Sequence, residues 1–311
     1  MNAISQDALG GPEVLKLVQV DKPAPGPTEV LVRVEAAGLN PTDWKIRKTG
    51  GMTRMRPPFV GGYDVSGVVE DSGIGQALYK PGDEVFGMLK YPQGHGAFAE
   101  YVTAPSRHFV RKPAGVDHVQ AAAIPLAGLT AWQALVDVAG VQDGQRVLVH
   151  AAAGGVGHLA VQIAKARGAY VIGTASAPKH DFLRGLGADE LVDYRTEDFA
   201  EVVRDVDVVI DTMGGEYGPR SLRTMRGDGT IVSLVLSLEI LHAKAAELGI
   251  RSESMLVEPD QAAMRALAAL MEAGRLRAEI AAVLPLAEAA KAHELGETNR
   301  TTGKIVLTVP H

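Results

Sequence analysis

Residues Arg146–Ser176 read RVLVHAAAGGVGHLAVQIAKARGAYVIGTAS, and their pattern decides the fold. The apolar run Val147-Leu148-Val149 predicts a short buried strand. A cluster of small residues follows, closing on Gly154-Gly155-Val156-Gly157. Leu159, Ile163 and Ala166 then recur at helical spacing, Gly168 ends that helix, and Tyr170-Val171-Ile172 starts a second strand. Strand, glycine turn, helix and strand within about thirty residues is a dinucleotide-binding unit. Ala152-x-Gly154-x-x-Gly157 has the GxGxxG spacing with Ala first. Gly154 lets the backbone approach a pyrophosphate, Gly157 lets the helix close on its strand, and free N–H groups at the helix start hold the anion. Ala153, Gly154, Gly155, Val156 and Gly157 are therefore candidate cofactor contacts. An ordinary strand-to-helix turn also uses glycine, but here both flanks agree.

The end of the second strand bears on which dinucleotide binds. An Asp or Glu about twenty residues after the glycines would hold a ribose 2′-hydroxyl. This chain has Thr174, Ala175 and Ser176 there, then Lys179 and His180, with no carboxylate before Asp181. A hydroxyl and a cation suit a 2′-phosphate, which a carboxylate would repel. NADP(H) is the expected cofactor. Lys179 reads alternatively as a solvated lysine at a helix start.

Working outward, 311 residues predict two domains. Hydrophobic content of 46% and charged content of 22% describe an ordinary globular chain. A net charge of −6 without a basic run argues against a nucleic-acid surface. The first thirty residues lack a signal-peptide pattern, and no apolar segment is long enough to span a bilayer. Cysteine is absent, which removes disulfides, thiolate metal sites and cysteine nucleophiles and is compatible with the cytoplasm. No metal site is expected, because the nine histidines show no ligand spacing.

Residues 1 to about 113 predict a small barrel-like β domain with Gly/Pro turns. Its strands are expected at Val14–Val20, Val30–Glu35, the end of Phe59–Glu70, the end of Lys80–Met88 and Gly96–Val102, with a short helix entered at Pro41. Val116–Val138 reads as helix broken at Pro125 and at a Gly128 turn. Strands are expected at Asp207–Asp211, Thr230–Leu236 and Gly303–Val309, and helices at Gln261–Ala273 and Leu286–Leu295. Alternation of strand and helix predicts an α/β fold with a doubly wound parallel sheet.

The ordered segments AAGLNPTDWKIRKTG, GGYDVSGVVE, KPGDEVFGM, GAFAEYV, PLAGLTAW, AAAGGVG, DTMGG and GKIVLTV, which span nearly the whole chain, resemble the medium-chain dehydrogenase/reductase superfamily, and within it the zinc-free quinone oxidoreductase branch. The resemblance implies a Rossmann domain, 116–284, inserted in a GroES-like catalytic domain, 1–115 plus 285–311. It also implies a homodimer that reduces a quinone or enone by hydride transfer from NADPH. Zinc-dependent relatives use a Cys and a His where this chain matches Asn40 and Tyr63. Asn40 is thus the first candidate donor to a developing enolate oxygen, although an Asn before Pro41 is equally a turn residue. Tyr63 is a second candidate donor, or a packing residue in a glycine-rich turn. Thr130 matches the residue beside the nicotinamide, or reads as a helix-start hydroxyl. Ser176, Lys179 and Tyr194 match contacts to the 2′-phosphate, and Lys304 matches a lysine near the cofactor cleft, or caps its strand in solvent. Asp43 and Asp64 are expected to order loops. Met52 replaces a tyrosine common in quinone reductases, implying a more apolar pocket that includes Met55. A zinc-free alcohol dehydrogenase or aldehyde reductase, and a non-catalytic NADPH sensor, stay open as alternatives.

Overall fold

A computed structural model describes residues 1–52, 54–92, 96–235 and 239–311. Its contacts divide the chain into one unit of Met1–Leu129 with Glu258–His311 and a second of Thr130–Val257.

In the second unit, six strands lie in the order Glu190–Val192, Tyr170–Thr174, Arg146–Val149, Val206–Asp211, Met225–Ser233, Arg251–Ser254. Every pairing is parallel. The order reverses between Arg146–Val149 and Val206–Asp211, the switch point beyond whose carboxyl ends such sheets bind ligands. Leu148, Ile172, Val209 and Ile231 form the sheet's buried core with Phe199 and Leu222. Continuous apolar runs are what a sheet covered on both faces requires. Helix Gly157–Ala166 packs on the two strands that flank it in sequence. The helix closes on the glycine turn because Gly157 lacks a Cβ, which would sit 2.3 Å from the Ala151 carbonyl oxygen; the turn itself closes on the second strand at Gly173, where a Cβ would sit 2.9 Å from the Ala152 Cβ.

In the first unit, strands Ile280–Pro285, Lys304–Thr308, Glu29–Leu39, Asp64–Ser72, Glu84–Met88 and Phe109–Arg111 follow one another, with Tyr101–Pro105 also pairing Glu29–Leu39. A second sheet joins Lys16–Gln19, Asn2–Gln6 and Phe59–Val60. Lys304–Thr308 runs antiparallel to Glu29–Leu39, setting Ile305 opposite Leu39. That register carries Lys304 to the mouth of helix Pro41–Thr49, which starts on Pro41 and ends at Gly50 with φ +80°.

Several expectations need correction. Residues 116–129 and 258–284 group with the first unit. Helix His118–Ala122 packs on Glu29–Leu39 and Asp64–Ser72, helix Gln261–Glu272 packs on Phe109–Arg111, and Ile280–Pro285 pairs with Lys304–Thr308. Gly128 lies inside helix Pro125–Trp132 and makes no turn. A Cβ there would come 2.9 Å from Ile124 Cγ2 and 3.1 Å from Leu267 Cδ1, so it is a packing glycine. Val14 belongs to the 3₁₀ turn Pro12–Val14, and the strand expected at Gly96–Val102 is Tyr101–Pro105. The strand expected at Thr230–Leu236 runs Met225–Ser233, while Leu236 lies outside the described residues.

Candidate active site

The glycine turn leaves strand Arg146–Val149 at the switch point. Ala151 takes a left-handed conformation, φ +47°, and its carbonyl accepts the Gly154 N–H at 2.8 Å. The Ala152 N–H donates to the Thr174 carbonyl at 3.0 Å, tying the turn to the second strand. A Cβ on Gly154 would meet only Ala151 O, at 3.1 Å, so the backbone there is open to close approach. Helix Gly157–Ala166, ten residues long, begins at once; the His158 N–H donates to the Gly154 carbonyl at 3.1 Å and the Ala160 N–H to the Val156 carbonyl at 2.9 Å, so the N–H groups that face away from the helix lie before them, at Gly155–Gly157. An exposed backbone, a helix N-terminus and a switch point together fit a dinucleotide pyrophosphate.

Past the second strand, Ser176 is buried and its carbonyl accepts the Lys179 N–H at 2.9 Å. The Lys179 ammonium is held below the usual lysine range, first by partial burial and then by repulsion from Arg195. Positive charge gathered after the strand in this way favours an anion. The Arg195 guanidinium also lies 5.9 Å from the Tyr194 ring centre, and Tyr194 is half exposed. Asp181, the first carboxylate after the strand, is 97% exposed and pairs with Arg184 at 2.7 Å. Thr130 is buried on helix Pro125–Trp132.

In the first unit, Asn40 caps the helix entered at Pro41 while its side chain reaches into a sealed polar group. The amide donates to Asp64 Oδ2 at 2.8 Å, and its oxygen accepts from Lys304 Nζ. Lys304 also donates to the Leu39 carbonyl at 3.0 Å and lies 3.5 Å from Asp64 Oδ2. Asp64 Oδ1 accepts the Leu126 N–H at 2.7 Å. Asn40, Asp64 and Lys304 are exposed by 1%, 0% and 3%, so Lys304 is no solvent cap; its ammonium is enclosed. Burial is the largest influence on both charged groups, pushing Asp64 up and Lys304 down, against their mutual attraction.

Asp43 accepts the Asn40 backbone N–H at 2.7 Å through Oδ2. Among the described residues its other oxygen is buried without a close hydrogen-bond partner, and the carboxyl is pushed up to about 8, chiefly by burial and partly by Asp64, against the Asn40 and Gly62 backbone. Tyr63 is buried, donates its hydroxyl to the Pro92 carbonyl at 3.2 Å, and meets Tyr91 edge to face at 5.1 Å. Burial, then the nearby Asp43 and Tyr91, raise its pKa. Met55 lines a small cavity with Asp43, Tyr63, Phe98 and His293.

The structure thus gathers Asn40 with Lys304 in one unit, and in the other sets Ala153–Gly157, Ser176, Lys179 and Tyr194 beyond the carboxyl ends of three adjacent parallel strands. Tyr63 is held separately from the Asn40 amide, by Pro92. Sequence reasoning missed His150, which is fully buried between Thr174 and Ser221, and Arg195 beside Lys179. A histidine directly before a small-residue run was the available signal for the first. Among the described residues, no three His, Asp or Glu side chains gather as metal ligands, and no helix is long and apolar enough to cross a membrane.

The chain as a whole is similar to known proteins. The family model for the alcohol dehydrogenase GroES-like domain matches residues 26–114, and that for zinc-binding dehydrogenase matches 186–307. The chloroplast envelope quinone oxidoreductase homolog of Arabidopsis thaliana is 34% identical, the match covering 99% of this chain and 98% of that one. The quinone oxidoreductase of Coxiella burnetii superposes with a TM-score of 0.94 at 39% identity, over 100% of this chain and 99% of its own. Escherichia coli quinone oxidoreductase, solved in complex with NADPH, gives 0.89 at 30% identity, over 99% and 100%. The chain therefore belongs to the medium-chain dehydrogenase/reductase superfamily, in its quinone oxidoreductase-like branch, and is an oxidoreductase of that type.

Proposed function

We propose that this oxidoreductase uses NADPH, without a catalytic metal, to reduce quinones or α,β-unsaturated carbonyl compounds. The observation that carries the cofactor choice is the edge running from Thr174 to Arg195. It offers the buried Ser176 and the cation pair Lys179 and Arg195, and turns its first carboxylate, Asp181, outward to Arg184. The E. coli relative solved with NADPH supports the same reading.

Metal independence rests on the residues at the two ligand positions, Asn40 and Tyr63, and on a chain without cysteine. An amide and a phenol are poor substitutes for thiolate and imidazole. A bound nicotinamide supplies the hydride, which calls for an acceptor already electrophilic. The chain's own task is to hold that acceptor and stabilise the oxygen on which charge develops. Asn40 has two amide N–H groups, one of them on Asp64, and is the proposed donor. Tyr63 donates in turn only by leaving Pro92. Thr130 and Lys304 complete the proposed set: Thr130 beside the cofactor, Lys304 near it as the lysine that fixes Asn40. A cytoplasmic homodimer belongs to the same reading, and light scattering of the purified chain checks the dimer.

The test is steady-state turnover of quinones, enones, aldehydes and saturated alcohols with NADPH and NADH. Lys179→Ala should lower kcat/KM for NADPH by roughly 10- to 100-fold, the worth of one charged hydrogen bond, and spare NADH. Equal loss with both cofactors overturns the phosphate assignment. Turnover of alcohols with none of quinones or enones overturns the substrate class.

A further inference from the structure

We propose that His150 is a positioning residue for dinucleotide binding, holding Ala151, through Thr174, in the conformation from which the glycine turn departs. The inference rests on the reading that Ala153–Gly157 cradle the cofactor.

The backbone of His150 is pinned first. Its N–H donates to the Ile210 carbonyl at 3.1 Å, and its own carbonyl accepts the Thr212 hydroxyl at 2.9 Å. The imidazole is fully buried, with ring centres of Phe199 at 4.6 Å and Tyr217 at 5.2 Å, both edge to face. Between those walls the ring has two hydrogen-bond partners among the described residues: Ser221 Oγ at 2.8 Å from Nε2 and Thr174 Oγ1 at 3.2 Å from Nδ1.

The direction of each bond follows from the partners. Ser221 donates its single hydroxyl proton to the Tyr217 carbonyl at 2.7 Å, so its oxygen must accept from the ring, and the proton sits on Nε2. Nδ1 is then an acceptor, and Thr174 is its donor. The Thr174 oxygen is left to accept the Ala151 N–H, 3.2 Å away. The resulting chain runs one way, from Ala151 N–H through Thr174 and His150 to Ser221 and the Tyr217 carbonyl. Burial and the charge of Arg220 hold the imidazole down at about 3, so the chain keeps this polarity at neutral pH.

Ala151 needs such a hold. A non-glycine residue at φ +47° is strained, and persists only where its surroundings over-determine it. Its carbonyl accepts the Gly154 N–H and is the wall against which Gly157 closes. Rotation of Ala151 toward an unstrained conformation displaces that carbonyl, and with it the backbone that meets the pyrophosphate.

The two ends of the imidazole can be tested apart. The Asn side-chain oxygen reaches about as far as Nδ1, and the Gln amide about as far as Nε2. Binding of NADPH and NADH is measured by titration calorimetry, and stability by urea unfolding. His150→Gln should weaken NADPH about tenfold, the worth of one lost hydrogen bond, and His150→Asn less than about threefold. The two variants should lose comparable stability. Thr174→Val should match His150→Gln, and Thr174→Ser should restore binding, which keeps the test decisive where a position-150 variant does not fold. Equal affinities for the Asn and Gln variants, or wild-type affinity in Thr174→Val, overturn the proposal and reduce His150 to packing. Failure of the wild-type chain to bind either dinucleotide overturns the cofactor reading itself.

Discussion

The Asn40–Asp64–Lys304 group of the first unit and the His150–Thr174–Ser221 group of the second are both sealed from solvent, and both stand where a strand gives way to a functional loop. They are made of different materials. The first holds a carboxylate and an ammonium, with a second carboxylate, Asp43, bonded to the Asn40 backbone. The second is neutral, and each hydrogen has one acceptor. Buried charge is strongly oriented by attraction, but it forfeits hydration that the attraction only partly offsets. A neutral chain gains less per bond and gives up far less on burial. The first group should therefore respond sharply to loss of a partner and to pH, and the second should respond mildly to loss of a partner.

Removing one charge breaks the comparison most severely. Lys304→Met leaves Asp64 buried without its cation, and should cost about 3–5 kcal/mol in urea unfolding. Adding Asp64→Asn should recover a large part of that loss, because the uncompensated charge goes with it. A double variant no more stable than Lys304→Met alone would show that lost packing of the lysine stem, and not stranded charge, sets the penalty.

The pH response is the next largest. Asp43 ionises at about 8 in the folded chain against an ordinary value of 3.8, so between those limits the folded state binds the proton more tightly than the unfolded state does. Its contribution to stability is present below about pH 4, declines as pH rises, and is gone above about pH 8. The raised Asp64 acts in the same direction, whereas the lowered Lys304 acts oppositely at alkaline pH. The difference between wild type and Asp43→Asn isolates the contribution of Asp43. Asp43→Asn should gain about 1–3 kcal/mol on wild type between pH 5 and 8, the discounted worth of the shift. Parallel stability curves for the two proteins would refute it.

The two regions also differ in how much the sequence reveals. The glycine turn and its flanking strands and helix were legible because each depends on residues within about thirty positions. Period and turn chemistry are local properties. The buried group is not local: Lys304 reaches Asn40 across 264 positions, and the register of two paired strands decides that they meet. Sequence alone therefore left Lys304 open to being a solvent cap. His150 is joined to Ser221 across 71 positions, and only the sheet order brings them together. Gly128 shows the converse limit. A glycine that makes room for Leu267 and one that makes a turn look alike in sequence, and the helix expected over Val116–Val138 was wrongly broken at Gly128 for that reason.

Ser221→Ala should have the smallest effect and sharpen the comparison best. It removes the acceptor for the His150 Nε2–H and leaves that donor buried and unpaired, a loss of about 1–2 kcal/mol. The Thr174 end of the chain is untouched, because Nδ1 still accepts and Thr174 still faces the Ala151 N–H. Stability should fall while affinity for NADPH stays within about twofold of wild type, since the changed bond lies on the far side of the ring from the glycine turn. Thr174→Val should do the reverse, shifting affinity more than its stability loss alone implies. If Ser221→Ala weakens binding as much as Thr174→Val, the imidazole transmits strain as a rigid wedge. Hydrogen-bond direction would then not be what steadies Ala151.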